Sequence, residues 1–193
     1  MQLLTFGDDT AEELDKTLEE LLSKNPKGMI LDLRNNGGGY LNTAVKVVSE
    51  FIPANKVVLI EEFGDGTRQT YKTEKHGIAR DIPLVVLVNE GTASASEITA
   101  GAIQDYGRGK LVGTRTYGKG SVQNWVPLAN DQGAVRVTIA RWLTPKERQI
   151  NKAGLEPDIV VEFTEEDIQA RKDVQLEKAI EFLKSYSAAG SSD

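Results

Sequence analysis

Leu84-Val-Val-Leu-Val-Asn-Glu-Gly-Thr-Ala-Ser-Ala-Ser-Glu97 is the stretch on which the fold turns. Its apolar opening is far too short for a membrane span and reads as a strand buried on both faces. Asn89-Glu-Gly91 turns the chain, and Ser94–Tyr106 reads as a helix whose small residues (Ala95, Ala100, Gly101, Ala102) allow close packing. A doubly buried strand feeding a helix through a short turn is the repeating unit of an α/β sheet.

The flanking segments continue that alternation. Upstream, Gln2–Phe6 reads as a strand. Thr10-Ala-Glu-Glu13 reads as a capping box before Leu14, Leu18, Leu21 and Leu22 at helical spacing. Met29–Leu33 reads as a buried strand, Asn35-Asn-Gly-Gly-Gly39 as a loop, and Tyr40–Phe51 as a helix stopped by Pro53. Lys56–Glu62 and Arg68–Lys72 flank Gly64-Asp-Gly66 as a hairpin. Downstream, Lys110–Gly113, Ser121–Leu128 and Ala134–Arg141 read as strands, forming an antiparallel portion between about residues 110 and 142. Pro157–Val161 is a further strand and Glu165–Ser185 a helix. Its apolar side closes the core, with a dimer contact as the alternative use. Residues 1–185 are expected to form one α/β domain of mixed β-sheet with packed helices, and residues 186–193 a disordered tail.

Composition narrows the chemistry. At 193 residues the chain buries roughly 70% of its unfolded surface, so it needs neither disulfide nor metal to form a core. A net charge of −6 argues against nucleic acid as the main partner. No transmembrane stretch and no signal sequence is visible. With no cysteine, thiol proteases and Cys-based zinc sites are excluded. The single histidine, His76, lies in a charged run, and no loop resembles a carboxylate metal site. Neither a metal nor a cofactor is expected.

Ser94, Ser96 and Thr92 all stand where a helix begins, next to free backbone N–H groups and the positive end of the helix dipole. The plainer reading is that one of them merely caps the helix, with Glu97 completing a box. A lysine can serve such a hydroxyl as base only if it is deprotonated. At its usual pKa of about 10.4 a lysine is neutral in roughly one molecule in a few thousand, so it needs burial among uncharged neighbours. Lys119, between two glycines in Thr116-Tyr-Gly-Lys-Gly-Ser-Val-Gln123, is the lysine that best fits, although a plain turn lysine reads the same way. The glycines after Asn36 can present bare N–H groups to an oxyanion, and equally to a phosphate. Gly113-Thr-Arg-Thr-Tyr-Gly-Lys119 matches the start of a phosphate-binding loop. Gly120 then stands where Ser or Thr should be, and a strand follows instead of a helix.

Asp32-Leu-Arg-Asn-Asn-Gly-Gly-Gly39, Val88-Asn-Glu-Gly-Thr-Ala-Ser-Ala-Ser-Glu-Ile98 and Thr116–Gln123 resemble three ordered motifs of the C-terminal processing (tail-specific) peptidases. Arg141-Trp-Leu-Thr-Pro145 and Ile150–Asp158 look like that family's next two blocks. The resemblance implies a ClpP/crotonase-like fold and a serine endopeptidase with a Ser/Lys dyad. Ser94 is then the nucleophile, because the family's serine stands 25 residues before its lysine, as Ser94 does before Lys119. Gln123 matches a glutamine supporting the lysine. Asp105 matches an acidic position expected to be structural, since a carboxylate beside a lysine raises the lysine's pKa. The oxyanion hole implied is the N–H of Ala95 with that of Gly38 or Gly39.

The resemblance further implies polypeptide substrates, with apolar C-termini, and an extracytoplasmic location (periplasm, cell envelope or thylakoid lumen). It leaves a homo-oligomer open. Family members carry a PDZ domain that recruits substrate tails by strand addition. No PDZ-like segment stands before Gln2, so a core that holds peptides with little turnover is the alternative expectation. A crotonase-like thioester enzyme ranks last, since no residues for a coenzyme A tail are recognisable.

Overall fold

The computed structural model describes residues 1–74 and 77–189; His76 lies outside them. In chain order the elements are α1 (Thr10–Leu22), β1 (Met29–Asp32), α2 (Leu41–Phe51), β2 (Val57–Phe63), β3 (Arg68–Lys72), β4 (Leu84–Val88), α3 (Ala95–Asp105), β5 (Lys110–Gly113), β6 (Ser121–Pro127), β7 (Ala134–Leu143), β8 (Ile159–Val160), α4 (Glu165–Gln169) and α5 (Val174–Ala189). They build two four-stranded sheets, a parallel one in the order β1-β4-β5-β8 and an antiparallel one in the order β3-β2-β7-β6.

β4 is central, and its period-two alternation divides the core. Leu84, Val86 and Val88 join the large cluster formed with α1, α2 and α3, while Val85 and Leu87 join a smaller one with Val112 and Ala179 of α5. Three helices therefore cover one face of the parallel sheet and α5 the other. The expected Gln2–Phe6 strand is present as two isolated parallel bridges, Gln2 to Asp32 and Phe6 to Gly39. β7 is buried at Ala140, Trp142 and Leu143, where it pairs with β2, but from Ala134 to Ile139 it is exposed and pairs with β6 alone. That outer half is a two-stranded ribbon reaching beyond the body.

Three local expectations give way to tertiary demands. Lys110–Gly113, expected in the antiparallel portion, lies in the parallel sheet between β4 and β8, so the antiparallel chain begins at Ser121. Thr10 does not close a box with Glu13. Its hydroxyl accepts from Gly7 N (2.9 Å) and donates to Thr5 O (3.2 Å), holding the incoming chain instead. The expected helix Glu165–Ser185 breaks into α4 and α5, with Arg171 at φ 52° between them, and α5 runs on to Ala189 into the expected tail.

The break is fixed by Asp173. Its carboxylate accepts from Leu176 N (3.0 Å), capping α5, and takes both Nη groups of Arg34 at 2.8 Å. Arg34 in turn grips Asp32 at the end of β1 (2.7 Å), so one guanidinium ties α5 to the sheet. The hydrogen bonds from Arg34 hold the Asp173 carboxyl below its ordinary value. A depressed folded value means that the stabilisation is complete above about pH 4, the unfolded value, and fades as pH falls through the lower folded one. Asp173→Asn is expected to cost ~1 kcal/mol at neutral pH, discounted for its partial exposure, and a few degrees of Tm. Thermal melts should show the gap to wild type narrowing as pH falls below about 4.

Candidate active site

α3 opens on Ser94, whose backbone lies at φ 58° and ψ −119°. A serine that only caps a helix sits in the β region. This conformation costs a residue with a Cβ about 1–3 kcal/mol and persists only where its surroundings enforce it. They do so on both sides. Thr92 Oγ1 donates to Leu33 O (2.9 Å), and Thr92 O accepts from Tyr117 N (3.0 Å). Ala93 N (3.0 Å) and Ser96 Oγ (2.9 Å) both donate to Asn36 O. Ser94 itself is half-buried and therefore reachable.

Glu97, fully buried one turn into α3, joins this turn to the lysine loop. One of its carboxylate oxygens accepts from the N–H of Ser94 and of Lys119, each at 2.9 Å. The other accepts from Gly118 N (2.7 Å) and Thr116 Oγ1 (2.6 Å). Ser94 and Lys119 are thus fixed within two hydrogen-bond lengths of each other through their main chains. The far side of the loop is clamped by Trp142 Nε1 donating to Lys119 O (2.9 Å) and Lys152 N donating to Gly118 O (2.8 Å). Those contacts give the Arg141–Pro145 and Ile150–Asp158 blocks their place in the site. Lys119 is half-buried.

The glycine loop closes the third side. Gly38 is at φ 99°, and a Cβ there would lie 2.7 Å from Ala93 O and 2.8 Å from both Ala95 N and Ser94 Cβ. Only glycine lets the loop come this close. Gly38 N–H is already committed to Asn36 Oδ1 (2.9 Å), and Asn36, itself buried, donates its amide to Leu3 O (2.7 Å). Among the described residues the N–H groups of Ala95 and Gly39 have no hydrogen-bond partner.

The remaining expected residues fall outside this knot. Gln123 is exposed on β6, its amide 3.4 Å from Thr138 Oγ1 across the ribbon. Asp105, at the other end of α3, pairs with Arg148 (2.5 Å) and accepts from Lys146 N (2.8 Å). Glu97, Asn36, Thr116 and Trp142 escape a reading of the sequence as site residues. Glu97 was visible only as the third residue after a serine, which is also the signature of a cap.

Comparison with known proteins identifies the family. A model of peptidase family S41 matches residues 1–161. The chloroplastic C-terminal processing peptidase of Tetradesmus obliquus is 42% identical over 159 residues, covering 82% of this chain and 34% of that protein. The carboxyl-terminal-processing protease of Synechocystis is 39% identical over 186 residues, covering 95% and 43%. Among solved structures, the photosystem II D1 C-terminal processing protease superposes with a TM-score of 0.78 at 40% identity, covering 83% of this chain and 41% of that one. The chain belongs to peptidase family S41. It spans well under half the length of these relatives.

Two substitutions probe the knot. Glu97→Gln keeps the shape but replaces an acceptor oxygen with a donor facing N–H groups, and is expected to cost about 2–4 kcal/mol of stability in chemical denaturation. Gly38→Ala is expected to fold yet displace the loop from Ser94, so that an active-site-directed fluorophosphonate labels Ser94 at least about tenfold more slowly.

Proposed function

We propose that this chain is the catalytic core of a serine endopeptidase that cleaves polypeptides near their C-termini through a Ser94/Lys119 dyad. The observation that carries the reading is the backbone of Ser94: a cap needs no such conformation, whereas a nucleophile held proud at a strand-to-helix turn does. The Glu97 bridge to the Lys119 loop and the family membership support it.

In this reading Ser94 Oγ attacks the scissile carbonyl as its proton passes to Lys119 Nζ. The tetrahedral oxyanion is met by the N–H groups of Ala95 and Gly39, with Gly38 shaping the loop while its own N–H stays on Asn36. The C–N bond then breaks, Lys119 returns the proton to the leaving amine, and water hydrolyses the acyl-enzyme on Ser94. Gln123, whose amide lies against Thr138 across the ribbon, would have to turn inward to support the lysine. Asp105 acts at a distance, holding the Lys146–Arg148 turn against α3.

Substrates with apolar tails are proposed from the motif resemblance alone, and an extracytoplasmic location from that resemblance together with the relatives, one of which is named chloroplastic. Among the described residues no helix is long and apolar enough to cross a membrane.

The test is cleavage of an unfolded polypeptide with an apolar C-terminus, followed by mass spectrometry of the products. Wild type should cut it, and Ser94→Ala and Lys119→Ala should each lose at least about a thousandfold in rate while keeping their circular dichroism spectra. Equal cleavage by Lys119→Ala would remove the lysine from the mechanism. Binding without cleavage by folded wild type would favour the peptide-holding core instead.

A further inference from the structure

The two sheets have four edges, and three of them are protected. Beyond β1, Met1–Leu3 bonds to the strand, with Leu3 N donating to Asp32 O (3.0 Å) and Asp32 N to Met1 O (2.9 Å). β8 is only two residues long. β3 carries Arg68 and Lys72 at its ends, the charges that usually blunt an edge. β6 is different: Ser121-Val-Gln-Asn-Trp-Val-Pro127 is seven residues long, has no charge, and is the outermost strand of its sheet.

The ladder at its two ends fixes which backbone groups β6 leaves open. Trp142 N donates to Gly120 O (3.1 Å), and Leu128 N donates to Gly133 O (2.9 Å). Hydrogen-bonded and non-bonded pairs alternate in an antiparallel ladder. With Val126 opposite Val135 and Asn124 opposite Val137, those pairs face inward, and the register shift after Val122 absorbs Ile139 without breaking the alternation. Ser121, Gln123 and Trp125 therefore turn their N–H and C=O groups away from β7. Pro127 offers only a carbonyl, which ends the row of donors.

This open row begins two residues after Lys119, whose N–H shares one carboxylate oxygen with that of Ser94. A strand laid along β6 is thus delivered end-on to the candidate nucleophile. Neither Ser94 nor Lys119 lines the cavity of about 820 Å³ between β1 and α5, or that of about 580 Å³ beside Arg108.

We infer that the free edge of β6 from Ser121 to Trp125 is the substrate-docking strand, to which an extended polypeptide adds through its main chain. This rests on the peptidase reading above and specifies how that site takes its substrate. Recognition by main-chain groups is indifferent to sequence and demands only an unfolded segment. Side chains at alternate positions of the added strand lie on the face that carries Trp125 and Arg136, whose guanidinium stands 5.9 Å from the indole ring.

The test has two arms. In the first, Ser94→Ala protein is titrated with a fluorescein-labelled Ala/Leu/Ser peptide long enough to span β6, and with copies N-methylated one residue at a time. Anisotropy should show affinity falling roughly three- to tenfold at every second position and little change between them. In the second, Trp125→Pro, which removes an outward N–H and no ladder bond, should raise KM for cleavage by a similar factor. Trp125→Ala, which keeps that N–H, should raise it less, and Arg136→Pro, which removes the equivalent N–H on the opposite edge of the ribbon, should behave as Arg136→Ala does.

Uniform tolerance of N-methylation, or equal losses from Trp125→Pro and Arg136→Pro, would overturn the inference. So would sedimentation showing a dimer that Trp125→Pro dissolves, since the edge would then belong to a second copy. Alternating loss of binding with no cleavage by wild type would keep the docking strand and sink the peptidase reading; cleavage without alternation would do the reverse.

Discussion

Everything at the candidate active centre hangs on one carboxylate. Glu97 has no access to solvent and faces four donors, three of them main-chain N–H groups from segments far apart in sequence. Each of those groups would otherwise be stranded in the interior at a cost of about 1–3 kcal/mol. Meeting them together leaves the turn at Ser94 and the loop at Lys119 a single mutual arrangement. Towards Ser94 and Lys119 its bonds run to the main chain, so the carboxylate takes up neither the hydroxyl nor the amine; the Ser94 side chain closes a capping box with the Glu97 N–H.

That junction is also where the two sheets meet. α3 follows the central strand of the parallel sheet, whereas Lys119 lies on the stretch that leaves β5 in the parallel sheet and enters β6 in the antiparallel one. The distance between hydroxyl and amine is therefore set by how the sheets are fastened to each other. Beside the shared apolar core, the polar fasteners at the site are the Glu97 cluster, Trp142 reaching across from β7, and the Thr116 hydroxyl, which donates to Glu97 and accepts from Leu155 N at 2.7 Å. The glycine loop is anchored separately, through Asn36 to the chain at Leu3. Three segments of the chain converge on Ser94.

What the sequence made legible follows from where each force acts. The Leu84–Val88 run announced a doubly buried strand because its burial needs no knowledge of partners, and the glycines around Gly38 and Lys119 marked close approach by their composition alone. Strand membership was harder: Lys110–Gly113 offers too short a run to reveal that its neighbours are parallel. The break before α5 depends on Arg34 reaching across from β1 to Asp173, a contact 139 residues apart in sequence that leaves no local trace. Glu97 was the most instructive miss. A glutamate three residues after a serine looks the same whether it answers one N–H of its own helix or also gathers two N–H groups and a hydroxyl from a distant loop. The reasoning that kept carboxylates away from a lysine base concerned the amine, while this carboxylate binds the lysine's backbone.

The left-handed backbone at Ser94 sets chemistry against durability. Glycine adopts such angles without the penalty that a Cβ incurs, so the residue least able to catalyse is the one the turn would prefer. Folding tolerates the serine because the surrounding network overrules it. In a lineage no longer selected for turnover, drift at this position would run towards glycine, and the chain would grow sturdier as it fell silent.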